Sequence, residues 1–118
     1  MAIEGIFYVE IFVSDLARSK RFYGETLGWK LGTDLPEVAG FHFGAAYLVA
    51  LADTRPASER RYAGGMVIEV KVDDIEAQYA RLTKAGVKAS AIETKPWGER
   101  NFSFSDPDGY VWHYGQGG

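Results

Sequence analysis

The sequence predicts an α+β domain of two repeated βαβββ modules, which together form a curved mixed sheet with a concave cup and helices on its outer face. Two observations predict this fold. The stretch Tyr8-Val9-Glu10-Ile11 recurs as Val67-Ile68-Glu69-Val70, and each copy leads into a helical pattern that a glycine ends, Gly28 or Gly86. An internal repeat of this kind determines the architecture, because one copy alone would leave a sheet face uncovered.

Length and composition limit the function classes. The chain has 118 residues, a formal charge of −3 and no cysteine. We expect a single domain with a real core, no nucleic-acid partner because a basic face is missing, and no disulfide. No apolar run approaches a membrane span and no signal-peptide pattern precedes the first strand, so a cytoplasmic protein without a membrane partner is expected.

The first module is predicted over residues 1–52. Residues 3–13 alternate as a strand that places Tyr8, Glu10 and Phe12 on one face. Ser14 or Asp15 is a suitable N-cap for a helix that runs to Gly28. Residues 29–33 form a short strand, and residues 40–44 and 47–51 form a hairpin. The polar stretch 53–65 is interpreted as a solvated linker.

The second module is predicted over residues 66–118. Residues 66–72 form a strand, residues 74–85 an amphipathic helix, and residues 87–92 another strand. Residues 96–114 form the closing hairpin, with its corner at Asp106-Pro107-Asp108-Gly109. Proline presets the corner, aspartate bonds the backbone just after it, and Gly109 is expected at positive φ.

Several separate motifs resemble the vicinal oxygen chelate superfamily of glyoxalases, ring-cleaving dioxygenases and bleomycin- or fosfomycin-resistance proteins. They follow in order across the whole chain: Val13-Ser14-Asp15-Leu16 with Ser19, Phe22-Tyr23 and Leu27-Gly28-Trp29, then Val70-x-Val72-Asp73-Asp74, and finally Asp106-Pro107-Asp108-Gly109. The resemblance implies the two-module fold, but one fold hosts many functions.

The resemblance also implies positions for a metal site. The family's metal enzymes use four ligands, and the matching positions are Tyr8, Ala50, Val67 and His113. Only His113 is a usual ligand, and a divalent metal needs at least three good donors. We therefore expect no cofactor, with a divalent metal as the alternative. Glu10, Glu69 and His113 remain weak candidates for a shifted metal site and for general acid–base catalysis.

The end of the chain resembles the C-terminal segment of bleomycin-binding resistance proteins, through Pro96-Trp97-Gly98-x-Arg100-x-Phe102 and His113-Tyr114. Those proteins bind a flat cationic aromatic drug without a protein-bound metal, as dimers. The resemblance therefore implies a homodimer and a small-molecule ligand. The predicted ligand-binding residues are Tyr8, Glu10, Phe41, Phe43, Glu69, Trp97, Arg100 and His113.

For some individual side chains the sequence allows more than one role. Trp97 is either a hydrophobic plug or a stacking wall, and Arg100 either clamps a carboxylate or pairs with Glu99 or Glu10. His42 faces outward if Phe41 and Phe43 line the floor of the cup. The leading hypothesis is a metal-independent binding protein for a small aromatic or cationic molecule. The alternative is a metal-dependent glyoxalase-like lyase, isomerase or dioxygenase.

Overall fold

A computed structural model describes residues 2–117, which fall into two compact units that meet in the sequence between Arg61 and Tyr62. Each unit contains one four-stranded mixed sheet and one main helix. The α+β class and the two βαβββ modules are thus confirmed, and the strands hydrogen-bond into two separate four-stranded sheets. The boundary between the units lies within the linker predicted at residues 53–65.

The elements of the first unit follow the predicted order. They are β1 (Val9–Val13), α1 (Leu16–Lys20), a π-helical segment (Arg21–Thr26), β2 (Lys30–Leu35), β3 (Val38–Phe43), β4 (Ala46–Ala52) and a 3₁₀ turn (Ala57–Glu59). The strand order in the sheet is β1-β4-β3-β2. Strand β1 runs parallel to β4, while β3 is antiparallel to both β4 and β2.

The helical stretch of the first unit begins at the predicted cap, where the Asp15 carboxylate accepts from Arg18 N–H at 3.1 Å. It then widens, because Leu27 N–H donates to the carbonyl of Phe22, five residues back, at 2.8 Å. Gly28 ends it with φ of 74°. The sequence predicted a regular helix here, so the π-helical segment is a finding of the structure.

The elements of the second unit repeat this plan. They are β5 (Val67–Lys71), α2 (Ile75–Lys84), β6 (Glu93–Thr94), β7 (Arg100–Ser105) and β8 (Val111–Gln116). The strand order is β5-β8-β7-β6, with β5 parallel to β8. Asp74 caps α2 by accepting from Ala77 N–H at 3.1 Å, and Gly86 follows the helix at φ of 90°. None of the helices between residues 2 and 117 has the length and apolar composition needed to cross a membrane.

Each sheet buries one face against its own helix. The buried side chains of the first unit include Tyr23, Trp29, Phe41 and Leu48, and those of the second include Ile75, Leu82, Phe102, Phe104, Trp112 and Tyr114. Burial of one large apolar side chain contributes roughly 1.5–3 kcal/mol. These clusters therefore determine which strand face is turned inward. The opposite face of each sheet, here called its open face, carries the alternate residues of every strand.

The hairpin corner between β7 and β8 has the predicted chemistry. The buried carboxylate of Asp106 accepts from the backbone N–H of Asp108 at 2.9 Å and of Tyr110 at 2.8 Å. Gly109 has φ of 90°, as predicted. This corner sets the register of β7 against β8 and so positions the side chains of both strands.

Two predicted strands were wrong in extent. The first strand begins at Val9 rather than at residue 3, since its register with β4 starts at the pair Val9 and Leu48. Residues 87–92 form no strand. There Ser90 bonds Ser103 through its backbone N–H and its hydroxyl, at 2.8 and 2.9 Å, so a side-chain acceptor replaces the carbonyl of a regular ladder. Antiparallel pairing with β7 resumes only at Glu93.

Candidate functional site

The open face of the second sheet carries the polar residues predicted for a site. Glu69 of β5 is paired in register with His113 of β8, which is paired with Ser103 of β7. The neighbouring residues of β8, Trp112 and Tyr114, are buried on the helix side. Because side chains alternate along a strand, Glu69 and His113 project together from the open face, as predicted.

The carboxylate of Glu69 is held by three neighbours. It accepts a hydrogen bond from Asn101 Nδ2 at 3.2 Å, and its Oε1 lies 3.6 Å from His113 Nδ1. It also lies directly over Gly115, where a Cβ would stand 2.8 Å from Glu69 Oε2. Asn101 is 5 % exposed and Glu69 is 37 % exposed at its side chain, so a buried amide orients a solvent-accessible carboxylate.

A second carboxyl group, that of Glu99, is hydrogen-bonded to Glu69. This bond is the main reason why the pKa of Glu69 lies below its usual value; burial opposes the shift, and Asn101 and His113 support it. The same bond, with burial and the negative charge of Glu69, raises the pKa of Glu99. The pKa values of the two carboxyl groups therefore lie apart, that of Glu69 below and that of Glu99 above the usual value.

Trp97 lies in the turn that leads into β7 and is 72 % exposed. The turn is closed by bonds from Lys95 N–H to the Glu99 carbonyl at 2.7 Å and from Gly98 N–H to the Lys95 carbonyl at 2.9 Å. The Trp97 side chain also hydrogen-bonds the Glu99 carboxyl group. The ring thus stands in solvent beside the carboxyl pair. Of the two predicted roles, its exposure favours a stacking wall over a hydrophobic plug.

The open face of the first sheet is aromatic. Tyr8 stacks on Phe7 at 4.0 Å between ring centroids and contacts Tyr47 at 5.4 Å, and Tyr47 contacts His42 at 4.6 Å. The Tyr47 ring lies over Gly40, where a Cβ would stand 2.2 Å from the hydroxyl oxygen. Glu10 is exposed on the same face, opposite Val49.

The Tyr47 hydroxyl ties this face to β2. It accepts from Thr33 N–H at 2.7 Å and shares a second hydrogen bond with the Thr33 hydroxyl at 2.7 Å. The ring is therefore fixed across three strands, since β4 carries it, β3 lies beneath it and β2 holds its hydroxyl. A fixed ring at an exposed surface is suited to stacking on a planar ligand.

Three predicted ligand-binding residues lie on the helix-facing sides of their sheets. Phe41 is 1 % exposed and packs on Tyr23 at 5.8 Å, and Phe43 stacks on Trp29 at 4.6 Å. Arg100 pairs with Glu76 of α2 at 2.5 Å. The prediction that the two phenylalanines line the cup is therefore wrong in its choice of face, and His42 occupies the open face instead.

The register of β4 also corrects the repeat. Glu10 is paired with Val49, and the equivalent Glu69 is paired with His113. Val49 is thus the structural counterpart of His113. The alignment of the two repeats in the sequence predicts Ala50 instead, which is buried. The slip arose because the two hairpin turns differ in length, and a shift of one residue exchanges the faces of a strand.

The donor set does not suit a divalent metal. The positions that the resemblance assigns to metal ligands, with Val49 in place of Ala50, hold a phenol, two aliphatic side chains and one imidazole, His113. Within residues 2–117, no three His, Cys, Asp or Glu side chains are grouped closely enough to hold an ion. Convergence of Tyr8 and Glu10 with Glu69 and His113 in one cup stays a prediction.

Three residues of these faces were missing from the predicted site: Tyr47, Glu99 and Asn101. Tyr47 was visible as an aromatic residue two positions before Val49 on the same strand, but its reach across Gly40 is a tertiary contact. Glu99 lies outside the regular strands and Asn101 alternates with aromatic core residues.

The linker, which the sequence predicts to be solvated, makes specific contacts with the first unit. Arg55 binds Asp53 at 2.9 Å and covers the Phe12 ring at 3.8 Å.

One sequence relative and one solved structure match this chain along nearly their whole length. The chain is 28 % identical over 120 residues to the uncharacterized protein YaeR of Escherichia coli, covering 92 % of this chain and 93 % of YaeR. The crystal structure of TnmS3, an antibiotic binding protein from Streptomyces sp. CB03234, superposes with a TM-score of 0.82 at 33 % identity, covering 100 % of this chain and 99 % of TnmS3.

A second solved structure shows likeness of fold alone. Lactoylglutathione lyase from Agrobacterium tumefaciens is 19 % identical, with a TM-score of 0.78 over 99 % of this chain and 96 % of the lyase. A family model matches residues 5–114. The chain therefore belongs to the Glyoxalase/Bleomycin resistance protein/Dioxygenase superfamily.

Proposed function

We propose that the protein binds a small cationic aromatic molecule, such as an antibiotic, without a bound metal ion. The observation that carries this proposal is the exposed Trp97 ring beside the hydrogen-bonded carboxyl groups of Glu69 and Glu99. An indole face attracts cations, and a carboxylate nearby adds a charge contact that a neutral ligand cannot use.

The first unit supports the aromatic part of the proposal. Its open face presents Tyr8 and Tyr47 as adjoining rings, and Glu10 adds a negative charge to that face. A planar ligand gains contact area on such rings at low entropic cost, because each ring is stiff. TnmS3, whose sequence is 33 % identical, is described as an antibiotic binding protein, which supports a small-molecule ligand for this chain.

The proposal excludes a metal-dependent reaction because of the donor chemistry at the implied ligand positions. Tyr8, Val49 and Val67 provide no carboxylate or imidazole, which leaves His113 alone. A single imidazole does not hold a divalent cation with useful affinity. The mechanism is therefore sequestration, in which the protein removes the free ligand from solution without changing it.

We also propose that the protein acts as a homodimer in the cytoplasm. Apolar residues around the edge strands β1 and β5 are exposed, among them Ile6, Phe7 and Val67. Edge strands with apolar flanks are usually covered in the native assembly. Size-exclusion chromatography with light scattering measures the mass directly, and a mass of one chain at micromolar concentration contradicts the dimer.

The test of function is a thermal-shift screen with bleomycin and planar cationic dyes, followed by calorimetric titration of the best compound. Trp97→Ala should weaken binding through lost stacking, by roughly 5–10-fold. Glu10→Gln and Glu69→Gln should weaken it through lost charge, and that loss should shrink as salt rises. Glu76→Gln, on the helix side of the second unit, is the matched control and should leave affinity unchanged.

The alternative, a metal-dependent lyase, isomerase or dioxygenase, has a different outcome in the same screen. If no cationic aromatic compound binds, and a thiol conjugate or α-keto acid is turned over after addition of Ni²⁺, Zn²⁺, Mn²⁺ or Fe²⁺, the sequestration proposal is wrong.

A further inference from the structure

The Tyr47 ring lies flat on the open face of the first sheet. A Cβ atom at Gly40 would stand 2.5 Å from both Cε2 and Cζ of this ring, and a Cβ atom at Gly32 would stand 3.2 Å from its Cε1. Side chains project roughly perpendicular to a sheet, so both Cβ positions point at the ring from beneath. One ring face therefore covers β3 and β2, and the other face is turned to solvent.

Two exposed rings stand on either side of Tyr47. Tyr8, just before β1, is tilted at 51° with its centroid 5.4 Å away, and His42 of β3 is turned at 62° with its centroid 4.6 Å away. Strands β1 and β3 flank β4, which carries Tyr47. Phe7 stacks on Tyr8 at 4.0 Å and steadies it. The three rings form a floor with two walls, here called the aromatic corner (Tyr8, Tyr47 and His42).

The polar atoms of Tyr47 and His42 are engaged elsewhere. The Tyr47 hydroxyl is bonded to the N–H and to the hydroxyl of Thr33, both at 2.7 Å. Nε2 of His42 is turned toward the sheet, 3.1 Å from the Cβ position of Gly32. A primary ammonium group on the Tyr47 face would lose water without gaining an acceptor from these rings for its N–H groups, whereas N-methyl groups need only ring faces. The aromatic corner therefore favours a methylated ammonium group.

Two charges of opposite sign lie at the sides of the aromatic corner. Glu10 is exposed and is paired across β4 with Gly40, which places it two strand spacings, about 10 Å, from the glycine beneath the ring. Lys30 is exposed and is paired with His42 on the other side. Charge by itself therefore does not select a cation here, and the ring faces decide.

We propose that the aromatic corner binds a methylated ammonium group, either a quaternary ammonium or a protonated tertiary amine. The N-methyl groups lie on the solvent face of Tyr47, with Tyr8 and His42 at the sides, within the distance of about 6 Å over which a ring attracts a cation. The proposal rests on the proposed function, because it names the cationic group of a ligand held at the first unit.

Three probes that share a hydroxyethyl group test the site on the full chain: choline, its neutral tert-butyl analogue and ethanolamine. Titrations follow the amide nitrogen-15 shifts of β3 and β4. Choline should bind roughly 5–30-fold more tightly than the tert-butyl analogue, because two or three ring faces each attract the charge, and also more tightly than ethanolamine. If either other probe binds as tightly as choline, or choline does not bind, the proposal is overturned.

Two ring variants and a control locate the site. Tyr8→Leu removes a wall at an exposed position and should weaken choline binding about 2–5-fold, without affecting the tert-butyl analogue. Gly40→Ala forces the Tyr47 ring off the sheet and should weaken choline binding at least as much. Leu35→Ala removes exposed apolar surface from β2 without removing a ring, and should change nothing. Unchanged choline affinity in Tyr8→Leu overturns the proposal even if Gly40→Ala fails to fold.

The two flanking charges check the position independently. Glu10→Gln should weaken choline binding and Lys30→Gln should strengthen it, and both effects should shrink as salt rises. Effects of the same sign would place choline elsewhere on the chain and overturn the proposal.

Failure of the methylammonium site is distinct from failure of the proposed function. If cationic aromatic dyes bind but choline is not preferred to its tert-butyl analogue, the methylammonium site is wrong and the proposed function stands. If choline is preferred and no cationic aromatic compound binds, the proposed function is wrong and the aromatic corner remains a methylammonium site.

Discussion

Glu69 and Gly115 form a close pair: the carboxylate of Glu69 occupies the space that the side chain of any other residue at position 115 would fill, with Oε2 only 2.8 Å from the Cβ position. Gly115 thereby permits Glu69 to lie flat on the open face of the second sheet, where Asn101 donates to it at 3.2 Å. The candidate site therefore depends on a residue that carries no chemistry of its own.

Gly115→Ala should move the Glu69 carboxylate without unfolding the protein. The atoms that it displaces belong to the end of a flexible side chain, so the loss of unfolding free energy should stay below about 1 kcal/mol. Ligand affinity should nevertheless fall, because the hydrogen bond from Asn101 is disturbed. Gly117→Ala is the matched control, since nothing lies within 4 Å of its Cβ position. If both variants bind the ligand equally well, the orientation of the Glu69 carboxylate does not contribute to ligand binding.

The pKa values of Glu69 and Glu99 are expected to lie on opposite sides of the usual carboxyl value. Glu69 has a lowered pKa in the folded state, so its contribution to stability is present above the usual value and is lost as pH falls through the lowered pKa. Glu99 has a raised pKa, so its contribution is present below the usual value and is lost as pH rises through the raised pKa.

Carbon-13 NMR titration of the glutamate carboxyl groups measures both values. Glu99→Ala removes the main cause of the low pKa of Glu69, which should therefore rise. Glu76→Ala, on the helix side, should leave it unchanged. A Glu69 pKa that does not respond to Glu99→Ala would show that the two carboxyl groups do not share a hydrogen bond.

Gly109→Val should destabilise the protein by more than about 1 kcal/mol. Gly109 has φ of 90°, a conformation that strains a β-branched residue. The measurement is urea unfolding, with the midpoint and slope compared with those of the wild type. Gly117→Val, whose Cβ position is open, should be nearly neutral. A neutral Gly109→Val would mean that the Asp106 corner tolerates another turn type.

The melting temperature should not respond to a chelator. A bound metal stabilises the folded state by mass action, so its removal would lower the melting temperature. With His113 as the single usual donor among the implied ligand positions, we expect the protein to purify without stoichiometric metal and to melt equally with and without EDTA. His113→Ala should likewise not alter the metal content, which elemental analysis measures.

The sequence by itself determined the modular plan. The recurrence of Tyr8-Val9-Glu10-Ile11 as Val67-Ile68-Glu69-Val70 predicted two βαβββ modules, because periodicity and caps are local properties of the chain. The helix starts at Asp15 and Asp74 and the positive φ of Gly109 followed from local hydrogen bonding and sterics in the same way. The prediction that Glu69 and His113 share one face came from the repeat together with the family resemblance, and the register of β5 with β8 agrees with it.

Only the tertiary structure decided which side chains meet. The register of β4 shows that Val49, and not Ala50, is the counterpart of His113. Alternation alone does not determine which face of a strand is buried, because that depends on the elements packed against it. Packing on Tyr23 places Phe41 on the helix side. Arg100 lies on the helix side of β7 because the buried Phe102 and Phe104 select that face. The contact of Glu69 with Glu99 joins strand β5 to a loop thirty residues later. No local sequence pattern encodes a contact between residues so far apart in the chain.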